Sequence, residues 1–402
     1  MNMEFFKCIF CQKKYRLDLF NVFCPECKEP LLYHYPEKKR NFSLNRTNPL
    51  EKFLDFLPLS NVNQRLCLGE GDTSLIKLNS IMEKYNLPKI FAKNEISNPT
   101  GSFKDRGTIV AIQKAVSIGI KRIGTVSLGS MAASTAAYGA RAGLNTFVLV
   151  KRDTSLEKLF STAIHNPVLV KVQGDYGKLF YESFSLGRRH NIYFMNSVDP
   201  FRIEGYKVTG FEIFLQLNKQ APRFIFVPLS SGGHLTGLMK AYLNLRQQSF
   251  IKQFPTFVGV QAQGCSPIAQ AYASGKTKVE RIKKPETIAH AISNPDPPGG
   301  NIVLKMIREN DGIIIDVSDE DILKTQEELA ELEGIFCQPA SATTLAGLLK
   351  LSKKMKFEPQ DKIILVLTGS GLKSIRSLES LKIDIHQTTL PNLIETIASI
   401  LN

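Results

Sequence analysis

The ten residues NPTGSFKDRG, Asn98–Gly107, lie between an apolar β-rich run, KIFAKNE, and a stretch with helical spacing, AIQKAVSIG. Asn-Pro and Thr-Gly predict a turn, and Lys104 then opens a helix. A β-run, a tight loop and a helix in that order make half of a βαβ unit, and the order recurs along the chain. Further strand candidates are RIGTVSL, NTFVLVK, PVLVKVQ, NIYFMNS, RFIFVPL, TFVGVQA, GIIIDVS and KIILVLT. Helical stretches such as GYKVTGFEIFLQL and DEDILKTQEELAELE separate them. The alternation predicts an α/β fold of mostly parallel sheets covered by helices. In such folds ligands bind where strand-end loops meet helix N-termini, so those loops are the informative places.

In the first loop, Lys104 is a candidate nucleophile. A lysine becomes one when its setting disfavours the ammonium form, and the positive end of a helix dipole does so. Ser102, Asp105 and Arg106 are suited to binding the loop or capping the helix. The strand RFIFVPL ends in Ser230, Ser231, Gly232 and Gly233 before another helix starts. Such a loop turns backbone N–H groups and hydroxyls towards one phosphate, and glycines allow close approach. A third strand runs into VLTGSGLKS, where Thr368 is placed to hydrogen-bond a buried heteroatom. The stretch TVSLGSMAAS, 125–134, has the same strand-to-helix layout, with Leu128 and Met131 where binding loops present polar groups.

At 402 residues the chain is long enough for two or three structural units. No run approaches the roughly 18 apolar residues of a spanning helix, so no membrane partner is expected. The start, MNMEFFKCIF, has neither the basic nor the apolar region of a secretory signal. A cytoplasmic location is expected. The net charge of +14 raises nucleic acid as a partner. The basic residues are scattered, however, without a Lys/Arg block or interleaved aromatics, so none is expected; basic chains also attract small phosphorylated substrates.

Cys8, Cys11, Cys24 and Cys27 are spaced C-x2-C, twelve residues, C-x2-C. Two knuckles, FKCIFCQK and VFCPECKE, set four thiolates around one tetrahedral ion, as in a zinc ribbon. Too few apolar residues lie between them to fold without a staple. Four sulfur ligands leave no open position, so the zinc is structural. PEKKRNFSLNRTNP, just after the ribbon, reads as a linker. Cys67, Cys265 and Cys337 read as small core residues.

Several motifs together resemble the threonine synthase family. They are LGEGDTSL, NPTGSFKDRG, MNSVDPFRIEG, the SSGG loop, GVQAQGCSPI, ETIAHAI, EGIFCQPASATTLAG and LTGSGLKS. The resemblance runs from the ribbon to about residue 375. It implies a pyridoxal 5'-phosphate enzyme of fold type II, the tryptophan synthase beta-like architecture, with two parallel-sheet α/β domains. Residues 1–36 would be the zinc ribbon, 37–96 and 199–402 a large domain, and 97–198 a small one, with the cofactor between the last two. Lys104 would carry the cofactor and then act as general base. Ser231, Gly232, Gly233 and His234 would cradle its phosphate, Ser130 would face its ring hydroxyl and Thr368 its pyridine nitrogen. Ser127 would hold the substrate carboxylate, and Asn196, Ser197 and Arg202 the substrate phosphate. The reaction implied converts O-phosphohomoserine and water to threonine and phosphate, and a homodimer is expected.

The chain departs from the family pattern in the Ser127 loop, which commonly reads S-[ST]-G-N-[TSAG]. Here Leu128 and Met131 offer no useful hydrogen bond, and Ser130 is shorter than the usual Asn. Ser370 and Ser374 stand where the family has His and Asp, and NPDPPGGN after ETIAHAI is unusual. Two alternatives therefore stay open at this point. One is an enzyme for another O-phospho-amino acid, such as phosphoserine β-replacement of the cysteate synthase kind. The other is a non-catalytic family member.

Overall fold

The computed structural model describes residues 4–36, 38–378 and 385–401. Its strands are β1 (Phe5–Lys7), β2 (Lys14–Tyr15), β3 (Leu32–His34), β4 (Leu75–Lys77), β5 (Lys89–Asn94), β6 (Arg122–Val126) and β7 (Asn145–Lys151). They continue with β8 (Val168–Val172), β9 (Tyr193–Phe194), β10 (Phe224–Pro228), β11 (Thr256–Ala262), β12 (Ile313–Val317) and β13 (Lys362–Leu367). Every β-run read from the sequence contains one of these strands, although NIYFMNS keeps only two residues of it.

Three sheets form: an antiparallel β2-β1-β3, a six-stranded β12-β11-β10-β13-β5-β4, and a four-stranded β8-β7-β6-β9. The larger sheets are parallel except for β4, which runs against β5. Central strands FIFVP and KIILVL are apolar without a break because helices cover both faces. Three-residue β4 escapes sequence reading because it is too short to show a period.

The helix Pro200–Gln216 is buried along nearly its whole length, between the helices Lys104–Ser117 and Gly233–Gln247. Its start is encoded locally. Asp199 is the N-cap, accepting from the Arg202 N–H at 2.9 Å, and Pro200 occupies the first turn. The close crossing needs glycine: a Cβ on Gly205 would lie 2.2 Å from the Arg106 carbonyl oxygen. This crossing sets Arg202 beside the first turn of the Lys104 helix.

In the segment read as a linker, 36–49, most described residues are exposed, but Arg40 and Phe42 are anchored. Phe42 stacks on Phe56 and Phe250 and meets Phe53 edge-on. Arg40 is buried, donating to the Asp55 and Pro36 carbonyls and lying over the Tyr35 ring. Its polar composition hid one aromatic and one snorkelling arginine that find partners far along the chain.

Candidate active site

The turn at 98–107 is closed by its own side chains. The Asp105 carboxylate accepts from the Thr100 N–H at 2.7 Å and the Thr100 hydroxyl at 2.6 Å, and Ser102 Oγ accepts from the Lys104 N–H at 3.2 Å. Arg106 anchors the turn below. It is fully buried and divides its donors between Glu95 and Glu212, with Nη1 2.7 Å from Glu212 Oε1. Lys93 completes the cluster at 2.7 Å from Glu212 Oε2. Two carboxylates against two cations make a balanced network, which burial requires.

Lys104 stands on this base with Nζ 4.2 Å from the centroid of the Phe103 ring. Burial, with the nearby Arg202 charge, lowers its amine pKa to about 7. Arg202 lies alongside. Its Nη2 donates to Thr108 Oγ1 at 2.9 Å and, at 3.5 Å, to the Lys104 carbonyl; Nη1 is buried without a hydrogen-bond partner. No carboxylate lies within 4.0 Å of this guanidinium among the described residues. Thr108 Oγ1 also pairs with Ser134 Oγ at 2.6 Å. Lys104 and Ser130, each one turn earlier, therefore head two adjacent helices, Lys104–Ser117 and Ser130–Arg141.

The SSGG loop faces the same space. Gly232 has φ +95°, and a Cβ there would lie 2.8 Å from the Gly299 carbonyl oxygen. A Cβ on Gly233 would lie 2.4 Å from the Ser197 carbonyl oxygen, so only glycine lets these loops meet. Asn294 donates to Ser231 Oγ at 2.8 Å, and the Gly299 N–H to the Ser231 carbonyl at 3.0 Å. The atypical NPDPPGGN segment thus braces the loop, a role its sequence did not reveal. His234 stacks on Phe103 with ring centroids 3.9 Å apart. Burial and the charges of Lys104 and Arg106 push its pKa well below the ordinary imidazole range, and both ring nitrogens lack a partner.

Thr368 is buried, its hydroxyl 3.0 Å from Ser341 Oγ, and its carbonyl accepts from the Phe103 N–H at 3.0 Å. Ser341, from EGIFCQPASA, was not singled out because its neighbour comes from a distant strand end. The Asn196 side chain is engaged within the protein. Its oxygen accepts from the Val126 N–H at 2.8 Å and its nitrogen donates to Ser183 Oγ at 2.9 Å. It thereby fixes the strand end that leads into Ser127. Ser197 is half-buried against Gly233.

In the Ser127 loop, Ser127 Oγ accepts from the Gly129 N–H at 3.3 Å. Leu128 packs against the apolar cluster of Ala132, Val148, Val150 and Leu159, and Met131 is buried. The two side chains that looked misplaced in a binding loop therefore serve packing. Ser130 stays half-exposed at the helix start, with the Lys373 amine 3.5 Å from its Oγ.

Away from this space, the ligand atoms of Cys8, Cys11, Cys24 and Cys27 all lie within 4.8 Å of one another. Tetrahedral zinc with bonds of about 2.3 Å holds its sulfurs at comparable separations. The knuckles rest on the Pro200 helix: Phe6 and Tyr33 pack on Phe201, and Tyr35 donates to the buried Glu204, which also pairs with Lys207 at 2.7 Å. Exhaustive chelation is expected to lower Tm by about 5 °C or more, reversibly on adding zinc, because it uncovers this buried charge cluster. An unchanged Tm in protein shown to be metal-free would mean that the segment folds without an ion.

Comparison with known proteins gives the family and the fold. Residues 66–369 match the family described as pyridoxal-phosphate dependent enzyme. The threonine synthase of Methanocaldococcus jannaschii is 34% identical, over 97% of this chain and 99% of that protein. That of Methanosarcina acetivorans is 33% identical over 92% of each. Among solved structures, maize serine racemase aligns with TM-score 0.64 at 20% identity, covering 82% of this chain and 92% of that one. Tomato threonine deaminase isoform 2 aligns with TM-score 0.64 at 16% identity, covering 77% and 87%. These likenesses support the fold, that of fold type II enzymes, while the nearer relatives carry the assignment. The chain belongs to the pyridoxal-phosphate dependent enzymes and, within them, to the threonine synthase family.

Proposed function

We propose that the protein converts O-phosphohomoserine and water to threonine and phosphate. The observation that carries this reading is Arg202: a buried guanidinium with an unspent N–H and, among the described residues, no carboxylate within 4.0 Å, Asp199 acting on it only from farther off, beside a lysine lowered to about 7. A buried guanidinium with no directly bonded anion is costly unless a ligand supplies one. A substrate phosphate does so, and the guanidinium can bind two of its oxygens.

The residues present fit pyridoxal phosphate. The Ser231–Gly233 turn has no room for a Cβ at either glycine, and both His234 nitrogens are buried without a protein partner, which a polar group of the cofactor would supply. Lys104 would hold the cofactor, Ser231, Gly232, Gly233 and His234 its phosphate, Ser130 its ring hydroxyl side and Thr368 its ring nitrogen. When bound, the cofactor supplies the electron sink for carbanion chemistry. The protein's own groups do the rest. Lys104 Nζ, neutral above about pH 7, takes and returns protons at the substrate carbons. Asn196, Ser197 and Arg202 hold the phosphate as it leaves the γ carbon, and Asn196 also fixes the strand end that leads into the Ser127 loop. Buried Phe103, Tyr206 and His234 wall the site from bulk water.

The same reading assigns residues 1–36 to a structural zinc ribbon, 37–96 and 199–402 to a large domain and 97–198 to a small one. Residues 1–3, 37, 379–384 and 402 lie outside those described. It also assigns a homodimer, a cytoplasmic location and no nucleic-acid partner; no described helix is long and apolar enough to cross a membrane. The test gives cofactor-loaded protein phosphohomoserine, phosphoserine and phosphothreonine separately. Phosphate release with threonine is expected from phosphohomoserine alone. Turnover of phosphoserine instead would move the assignment to β-replacement, and silence with all three would make the protein a non-catalytic relative.

A further inference from the structure

Lys373 is used by none of the roles above. It lies in the turn after β13, which is pinned to the Lys104 loop by the Phe103 N–H to Thr368 carbonyl bond and the Ser370 N–H to Gly101 carbonyl bond, each 3.0 Å. Its own N–H donates to the Ser370 carbonyl at 3.2 Å. The side chain passes over Gly101, where an added Cβ would lie 3.3 Å from Lys373 Cε. Its amine ends 3.5 Å from Ser130 Oγ. No carboxylate lies within 4.0 Å of this amine among the described residues. Asp105 is the nearby acidic group, and its oxygens are already engaged by Thr100. Lys104 and Arg202 are the other cations of the site: the Lys104 amine lies over Phe103, and Arg202 is bonded to Thr108.

The side chains of the Ser127 loop offer a carboxylate few donors. Leu128 packs against the small-sheet core and Met131 is buried, so the hydroxyls of Ser130 and Ser127, whose Oγ accepts from the Gly129 N–H and keeps its own O–H, are what the loop's side chains supply. An amino-acid substrate whose phosphate sits at Arg202 and whose amine sits by Lys104 still carries an α-carboxylate at the start of the Ser130 helix. We infer that Lys373, whose amine lies beside Ser130, binds that α-carboxylate and adds a charged donor where Leu128 and Met131 contribute none. The inference rests on the proposed reaction. A cation reaching from a neighbouring loop replaces hydroxyl and amide donors, and a charge-assisted bond makes the exchange effective. Lys373 is then a specificity residue that selects amino acids over plain phosphorylated amines.

The experiment compares phosphohomoserine with 3-aminopropyl phosphate, which keeps the phosphate and amine and lacks the carboxylate. Steady-state kinetics and calorimetric titration are run on cofactor-loaded wild type, Lys373→Met and Lys373→Arg. In Lys373→Met, KM and Kd for phosphohomoserine are expected to rise about tenfold. Kd for 3-aminopropyl phosphate should stay within about twofold, and Lys373→Arg should recover much of the loss. Equal weakening of both ligands, or no change for phosphohomoserine, would overturn the inference. Failure of the reaction assignment is read separately, from wild type alone. If wild type turns over only phosphoserine, the same contrast is made with phosphoserine and phosphoethanolamine. If wild type turns over nothing, calorimetry with the phosphohomoserine pair still decides.

Discussion

Lys104→Ala protein is expected to be colourless after exposure to pyridoxal phosphate and to lose turnover by about 10^4-fold or more, while wild type is yellow. Two functions vanish with one amine, covalent attachment of the cofactor and proton transfer, and proton transfer alone is worth on the order of 10^2–10^4-fold. The fold should survive, because the Lys104 amine is given no hydrogen bond that holds the turn; Asp105, Ser102 and Arg106 do that. Absorbance of the dialysed protein, with Tm as control, checks it. A yellow, active Lys104→Ala would place the attachment elsewhere. The same amine predicts a pH dependence. Burial disfavours its charged form, so lowering the pH through about 7 charges it and removes the nucleophile. Cofactor uptake by apoprotein should fall about tenfold per pH unit below 7 and level off above. A rate that kept climbing towards pH 10 would show an amine in ordinary surroundings.

Arg202→Met is the second large effect, and its signature is a split between activity and stability. Losing two charge-assisted bonds to a phosphate, each worth about 1.5–3 kcal/mol, raises KM for phosphohomoserine at least about 10^2-fold. An arginine paired in the core would cost stability when removed. Among the described residues this one has no carboxylate within 4.0 Å, only Asp199 farther off, and one unsatisfied N–H, so Tm should hold. The pair of measurements is diagnostic. A fall in Tm of about 5 °C with KM unchanged would make Arg202 a structural residue of its helix.

What could be read from the chain alone was whatever neighbouring residues encode. The strands follow from apolar runs, and the Pro200 helix start from Asp199 and Pro200. The cysteine knuckles, the turn holding Lys104 and the glycine turn at 232–233 follow from residue types spaced a few positions apart. Dihedral limits, capping and tetrahedral coordination act over that range. These features sufficed for the fold class and the family.

Tertiary structure decided which way side chains point and who meets whom across the chain. Leu128 looked like a defect in a binding loop, yet it turns into the core beside Val148 and Val150. Asn196, a phosphate-ligand candidate, is held by the Val126 N–H and Ser183, which leaves one of its amide N–H groups over. Asn294 bracing Ser231, Ser341 under Thr368 and Lys373 over Ser130 join residues 27 to 243 positions apart. No local periodicity or motif encodes such pairs. They exist because parallel strands deliver their C-terminal loops to one edge, and because glycines at 205, 232 and 233 let the helices and loops close to contact. The chain's own text therefore determined what chemistry is carried; the packing determined which of those groups remain free to touch a ligand.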